Sequence, residues 1–125
     1  MTKSMIFLDS DIILDVFAKR EPFYFPAARL FTLIEQKKVA ACTSPLVFSN
    51  LHYILRRLLS KDAAILHLRT LKTFVSILPV DEQILDLALN SSFSDFEDAI
   101  QYYTAKRHNV RSLITRNTKD YPAKD

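Results

Sequence analysis

Two short stretches of the chain bring carboxylates to the ends of apolar runs: Ile6-Phe7-Leu8-Asp9-Ser10-Asp11 near the start and Ser94-Asp95-Phe96-Glu97-Asp98-Ala99-Ile100 near the end. An apolar strand that stops on Asp and passes into a helix sets that carboxylate at the carboxyl edge of a parallel sheet, where open α/β folds gather ligands. The second stretch reads as a helix start, so its acids face the first if the two elements lie side by side. Clustered carboxylates repel one another, and a hard divalent cation with oxygen ligands is the usual means of holding them together. The residue types therefore point to a metal site.

Each acid also has an ordinary role. Asp9 and Asp11 suit an N-cap and a first-turn acid; Asp9, however, lies in line with the strand, where burial without a partner is costly, and this favours the site. Asp15, one turn past Asp11, is expected to be solvent-facing or locally bonded. Ser94-x-x-Glu97 fits a capping box, which accounts for Glu97. Asp98 is followed by the small apolar face Ala99, Ile100 and Ala105, which turns it towards the sheet and makes it the second carboxylate. His52, His67 and His108 lack ligand spacing and read as partly exposed helical residues, while Tyr102 and Tyr103 are expected to pack. The segment Thr115-Arg116-Asn117-Thr118-Lys119-Asp120 follows the last strand, so its polar groups either reach the same sheet edge or form a plain turn.

The elements that must position these residues are legible as periodicities. Met5 to Leu8, Val39 to Thr43, Val75 to Val80 and Arg111 to Thr115 read as strands, with Pro79 marking an end or an edge. Asp11 to Ala18, Pro26 to Lys37, a segment opened by Ser44-Pro45 whose apolar face runs to Leu58, Asp62 to about Phe74, a segment capped by Asp81, and about Asp95 to His108 read as helices. Strands alternating with helices mean a parallel sheet with helices on its faces. With 125 residues the chain fits one α/β domain. Hydrophobic residues at 49% and charged residues at 25% are globular values. Glycine is absent, which excludes the Gly-rich phosphate loops of nucleotide-binding folds. The single cysteine, Cys42, lies in an apolar strand and reads as buried; with no stretch of signal or transmembrane length, a soluble cytoplasmic protein without a membrane partner is expected. Net charge is only +3, yet Arg56, Arg57 and Lys61 form one basic group and Lys106, Arg107, Arg111, Arg116 and Lys119 another. These are solvated faces or the basic rim that an acidic nuclease pocket needs.

In their order and spacing these segments resemble the PIN domain, the fold of VapC-like toxin ribonucleases, over about Met5 to Tyr121. The resemblance rests on Phe7 to Asp15 as the opening strand and turn, Asp98-Ala99-Ile100 with Ala105 as the central acidic helix, and Thr115 to Tyr121 as the closing strand and loop. It implies a PIN-like α/β domain that binds Mg²⁺ or Mn²⁺ and hydrolyses RNA, with metal ligands at Asp9 and Asp98. Many members carry Glu where this chain has Asn50, and the fourth acidic slot falls on Asn117, with Asp120 one step away as a substitute metal ligand. A branch of the family carries Asn at both places. Similar proteins continue into a further short strand and terminal helix, so a shortened end is implied for the domain at 1–125.

The resemblance further implies the toxin half of a toxin–antitoxin pair, with RNA as substrate, a cognate antitoxin as partner and a homodimer as the assembly. Ser10, Asp11, Asp95, Thr115, Arg116 and Lys119 are the candidate substrate-binding residues, Arg116 and Lys119 as supports of the RNA backbone. Phe23, Tyr24, Phe25, Phe31, Tyr53 and Leu59 are more large apolar groups than a small sheet readily covers, and such surplus marks an interface. Two rival functions stand beside this one. A non-catalytic PIN-fold module that binds RNA or protein would account for the neutral Asn50 and Asn117. A haloacid-dehalogenase-like phosphatase would use Asp9 as nucleophile and Asp11 as acid and base, although that family usually has a glycine in the loop.

Overall fold

The structure, a computed structural model, describes residues 5–115. Its elements run β1 (Met5–Leu8), α1 (Ser10–Phe17), α2 (Tyr24–Glu35), β2 (Ala40–Thr43), α3 (Pro45–Leu58), α4 (Lys61–Lys72), β3 (Ser76–Ile77), α5 (Glu82–Leu89), α6 (Phe96–Arg107) and β4 (Ser112–Ile114). The strands pair in parallel in the order β3-β2-β1-β4, with Phe7 opposite Cys42 on one side and Leu113 on the other. A pair of helices covers each crossover, giving the expected α/β domain. The chain steps outward from β1 to β2 to β3, then returns to lay β4 on the far side of β1. That reversal opens a crevice at the carboxyl ends of β1 and β4, the place where such sheets bind ligands.

The two central strands are buried on both faces, which is why they read as unbroken apolar runs rather than alternating ones. Phe7, Leu8, Ala41 and Cys42 are at most 3% exposed. The Cys42 thiol donates to the Ile6 carbonyl at 3.4 Å and the Thr43 hydroxyl to the Leu8 carbonyl at 2.9 Å, so β2 is tied to β1 by side chains as well as by the ladder. Burial pushes the Cys42 thiol up to about 12, as suits a packing residue rather than a nucleophile. Leu51 and Leu55 of α3 and Leu71 of α4 complete the main core. Ile84, Ala88, Ala99 and Ile100 form a second, smaller cluster that docks α5 on α6.

Without glycine, three helices end on other residues in the left-handed region: Lys19 (φ 51°), Lys37 (φ 61°) and Asn109 (φ 62°). Each is followed by an amide that reaches back five residues, Arg20 to Asp15, Lys38 to Leu33 and Val110 to Ala105, which is Schellman geometry built at a steric cost that glycine avoids.

Asp15 takes the locally bonded of its two expected roles: it is 1% exposed, and the turn at Lys19 folds Arg20 back so that its guanidinium lies 3.6 Å from the carboxylate. Two expectations need correction. The strand expected over Val75 to Val80 pairs only at Ser76–Ile77, because β2 already passes into α3 at Ser44 and leaves nothing beyond to pair with. Phe31 is no surplus group but a core residue, edge-on to both Phe17 and Phe74.

Candidate metal centre

Asp9 follows β1 directly, and its amide still donates to the Ile114 carbonyl of β4 at 3.1 Å. Its backbone is extended, so its side chain is free to cap α1: Oδ1 accepts from the Ser10 amide at 2.7 Å. Oδ2 accepts from the Thr115 hydroxyl at 2.8 Å, and the same hydroxyl lies 3.4 Å from Asp11 Oδ2. Thr115, expected to contact substrate, thus spends its hydroxyl on these carboxylates. Asp9 is 6% exposed, and its amide and its Oδ2 together clamp the ends of β1 and β4. The capping role and the buried-site role fall on one residue.

The second stretch folds one residue out of the expected register. Asp95 rather than Ser94 is the N-cap of α6, and its Oδ1 accepts from the Asp98 amide at 3.0 Å. Both Ser94-x-x-Glu97 and Asp95-x-x-Asp98 have capping spacing; burial decides, since the Asp95 register sends Asp98, Ala99 and Ile100 inward and leaves Glu97 exposed. Asp98 is 8% exposed and Gln101, one turn on, is 2% exposed.

These residues share a cavity of about 230 Å³ at the carboxyl edge of the sheet. Asp9, Ser10 and Asp11 line it from the end of β1 and the start of α1, Asn50 from α3, and Asp95, Glu97, Asp98 and Gln101 from α6; Leu14 and Ile54 form its apolar side. Two other clefts, about 310 Å³ beside Lys106 and Arg111 and about 510 Å³ at the amino end of β2, lie away from these acids. Arg116, Asn117, Lys119 and Asp120 fall outside the described residues.

Five acids line the cavity with no lysine, arginine or histidine among its described lining residues, a concentration of like charge that a bound cation would relieve. Ser10 Oγ and Gln101 Oε1 are buried there without a hydrogen-bond partner, as polar atoms waiting on a bound species would be. The donors are all oxygens, which suits Mg²⁺ or Mn²⁺ and not a thiolate- or imidazole-bound metal. Among the described residues no three of His, Cys, Asp and Glu form a ready cage. Mg²⁺ does not need one, since it usually takes one or two carboxylates and keeps several waters. The residues present therefore fit the ion.

Of the residues in this cavity, sequence reasoning missed Gln101. The available signal was its spacing of three from Asp98, which puts both on one helical face.

The comparisons with known proteins agree with this architecture. Ribonuclease VapC1 of Aquifex aeolicus is 23% identical over 130 residues, an alignment spanning 100% of this chain and 89% of that protein. The solved structure of Mycobacterium tuberculosis VapC20, described as a Sarcin-Ricin loop cleaving toxin, superposes with a TM-score of 0.75 at 18% identity, over 90% of each chain. A chain of a toxin–antitoxin complex from Klebsiella pneumoniae gives 0.70 at 21% identity, over 94% of this chain and 91% of that one. The PIN domain family model matches residues 5–119, a span that starts at β1 and takes in β4 and Thr115. With a parallel sheet reversed at β1 and an acid-lined crevice at the reversal, the chain belongs to the PIN domain family.

Proposed function

We propose that this protein is an endoribonuclease that hydrolyses RNA phosphodiester bonds with Mg²⁺ or Mn²⁺ and is the toxin half of a toxin–antitoxin pair. The observation that carries the reading is the cavity of five acids at the sheet's switch point, with no described basic side chain in its lining. The relatives named as a ribonuclease and as a toxin supply the substrate class. Membership of the PIN family leaves the phosphatase alternative without support.

In this reading Asp9 and Asp98 hold the cation, assisted by Asn50 and, beyond the described residues, by Asn117 or Asp120. The Ser10 amide and Thr115 hydroxyl fix the Asp9 carboxylate in one orientation before any ligand arrives. When bound, the ion supplies a water of lowered pKa and neutralises charge on the scissile phosphate. Asn50 contributes an amide oxygen where many relatives have Glu, so the site works with less negative charge and turnover is slow. Ser10, Asp11 and Asp95 line the approach of the RNA, and Arg116 and Lys119 steady its backbone.

The antitoxin and a second copy of the chain dock on the helices between Pro22 and Phe74. Phe25 of α2 is 70% exposed, Leu66 of α4 64% and Tyr53 of α3 54%, large apolar side chains of the kind that a partner would cover. No helix of the described residues is long and apolar enough to cross a membrane. We place the protein in the cytoplasm with its RNA and its antitoxin.

The test is cleavage of a labelled RNA by wild type and by Asp9→Asn, with Mn²⁺ and with EDTA. Cleavage should require Mn²⁺ and vanish in Asp9→Asn, whose circular dichroism stays that of the wild type. Equal cleavage by both proteins, or cleavage that persists in EDTA, refutes the reading. RNA bound but left intact with Mn²⁺ favours a non-catalytic module, the second reading that the neutral Asn50 supports.

A further inference from the structure

Gln101 is flanked on α6 by Ile100 and Tyr102, with Ala99 and Ala105 also at most 7% exposed, and the buried Thr104 hydroxyl of the same helix is spent on the Ile100 carbonyl. A leucine or methionine of the same size would fill the position without bringing a polar group inside. Instead the chain buries a carboxamide, turns it into the acid-lined cavity and leaves its Oε1 without a hydrogen bond. A buried polar atom lacking a partner calls for an explanation. Ser10 Oγ is in the same condition in the same cavity but comes from a different element, so the two unmet atoms face one shared space.

We infer that Gln101 is a positioning residue of this centre, its Oε1 accepting a hydrogen bond from a water that hydrates the cation held between Asp9 and Asp98. The inference rests on the metal-nuclease reading above. Mg²⁺ and Mn²⁺ in sites with few protein ligands retain several waters, and each water carries protons that need acceptors. Asp9 already receives the Ser10 amide and the Thr115 hydroxyl, and the Asp95 Oδ1 receives the Asp98 amide. A neutral amide oxygen adds an acceptor without adding a sixth carboxylate to the cavity. Outer acceptors of this kind orient the water and tighten the ion without touching it.

The test is calorimetric titration of RNA-free protein with Mn²⁺, comparing wild type, Gln101→Met, Gln101→Glu and Asp9→Asn. Methionine keeps the shape and removes the acceptor, and should weaken Mn²⁺ binding about tenfold, while thermal stability in EDTA does not fall. Glutamate restores an acceptor oxygen and should bind Mn²⁺ at least as tightly as wild type, a rescue that a packing role would not give. Wild-type affinity in Gln101→Met together with weakened affinity in Asp9→Asn overturns the role of Gln101 and leaves the metal site standing. Weakened affinity in Gln101→Glu also overturns it, because the amide would then act as a donor. Wild type and Asp9→Asn that both ignore Mn²⁺ overturn the metal reading itself and this inference with it.

Discussion

Replacing Thr115 by valine removes one hydroxyl and almost no volume, and that hydroxyl is the donor to Asp9 Oδ2 at 2.8 Å. A hydrogen bond to a charged acceptor contributes about 1.5–3 kcal/mol. Thr115 is only partly buried, so water can reach part of the vacated space, and the lower figure of about 1.5 kcal/mol applies. For a chain of this size that corresponds to a melting temperature lower by roughly 6 °C. The effect on function should be larger than the effect on stability suggests. Thr115 joins the end of β4 to the end of β1 through Asp9, and without it the carboxylate loses the bond that fixes its Oδ2. Mn²⁺ affinity should then fall about tenfold, as for loss of an outer-shell partner. Thr115→Ser keeps the hydroxyl and should behave close to wild type on both counts. Scanning calorimetry in EDTA and titration with Mn²⁺ read the two quantities separately. A Thr115→Val protein with wild-type melting temperature and wild-type Mn²⁺ affinity would refute the claim that this hydroxyl positions Asp9.

The Cys42 thiol has its pKa raised from an ordinary 9.0 to about 12 by burial, so the folded state keeps a proton that the unfolded state releases. That contribution to stability is complete below about pH 9 and is lost as pH rises through about 12; urea midpoints should fall over this range in wild type and fall less in Cys42→Ala. Lys37 holds φ 61° at the end of α2, so Lys37→Gly should stabilise by about 0.5–1 kcal/mol and Lys37→Ala should not, as denaturant unfolding will show. Asn50→Glu adds a sixth carboxylate to the acidic cavity, and should tighten Mn²⁺ binding in calorimetry while lowering the melting temperature in EDTA.

The parts of the site that could be read from sequence are those where local chemistry and tertiary role coincide. A strand that ends on Asp and continues as a helix admits few geometries, and Asp9 lies where that pattern puts it. The start of α6 was ambiguous because two overlapping capping patterns satisfy the same local rule. What settles it is packing of Ala99 and Ile100 against Ile84 and Ala88, a contact with α5 that no local rule contains. Gln101 was hidden for a related reason. Seven residues of α6 are buried, and on a helix buried nearly all round a single glutamine reads as one more surface residue. For Asp15 the sequence left two roles open, solvent-facing or locally bonded, because its partner Arg20 arrives through a left-handed turn at Lys19, and nothing in a lysine announces such a turn.

Capping and metal binding need not compete for the acids of this crevice. Asp9 caps α1 and Asp98 occupies the first turn of α6, so both buried carboxylates sit at helix N-termini. Each terminus carries roughly half a positive charge and favours the ionised acid beside it. Two such termini at one cavity offset part of the repulsion among five acids, and the capping bonds to the Ser10 and Asp98 amides orient Asp9 and Asp95. On the proposed reading, an ion would meet ligands already in place and supply only the remaining positive charge. The features that make Asp9 and Asp98 look like ordinary helix-end acids would then be the ones that prepare them to hold a cation. The neutral groups at 50 and 101 follow the same logic: amides add donor and acceptor oxygens and nitrogens to the cavity without adding repulsion that two helix ends could not offset.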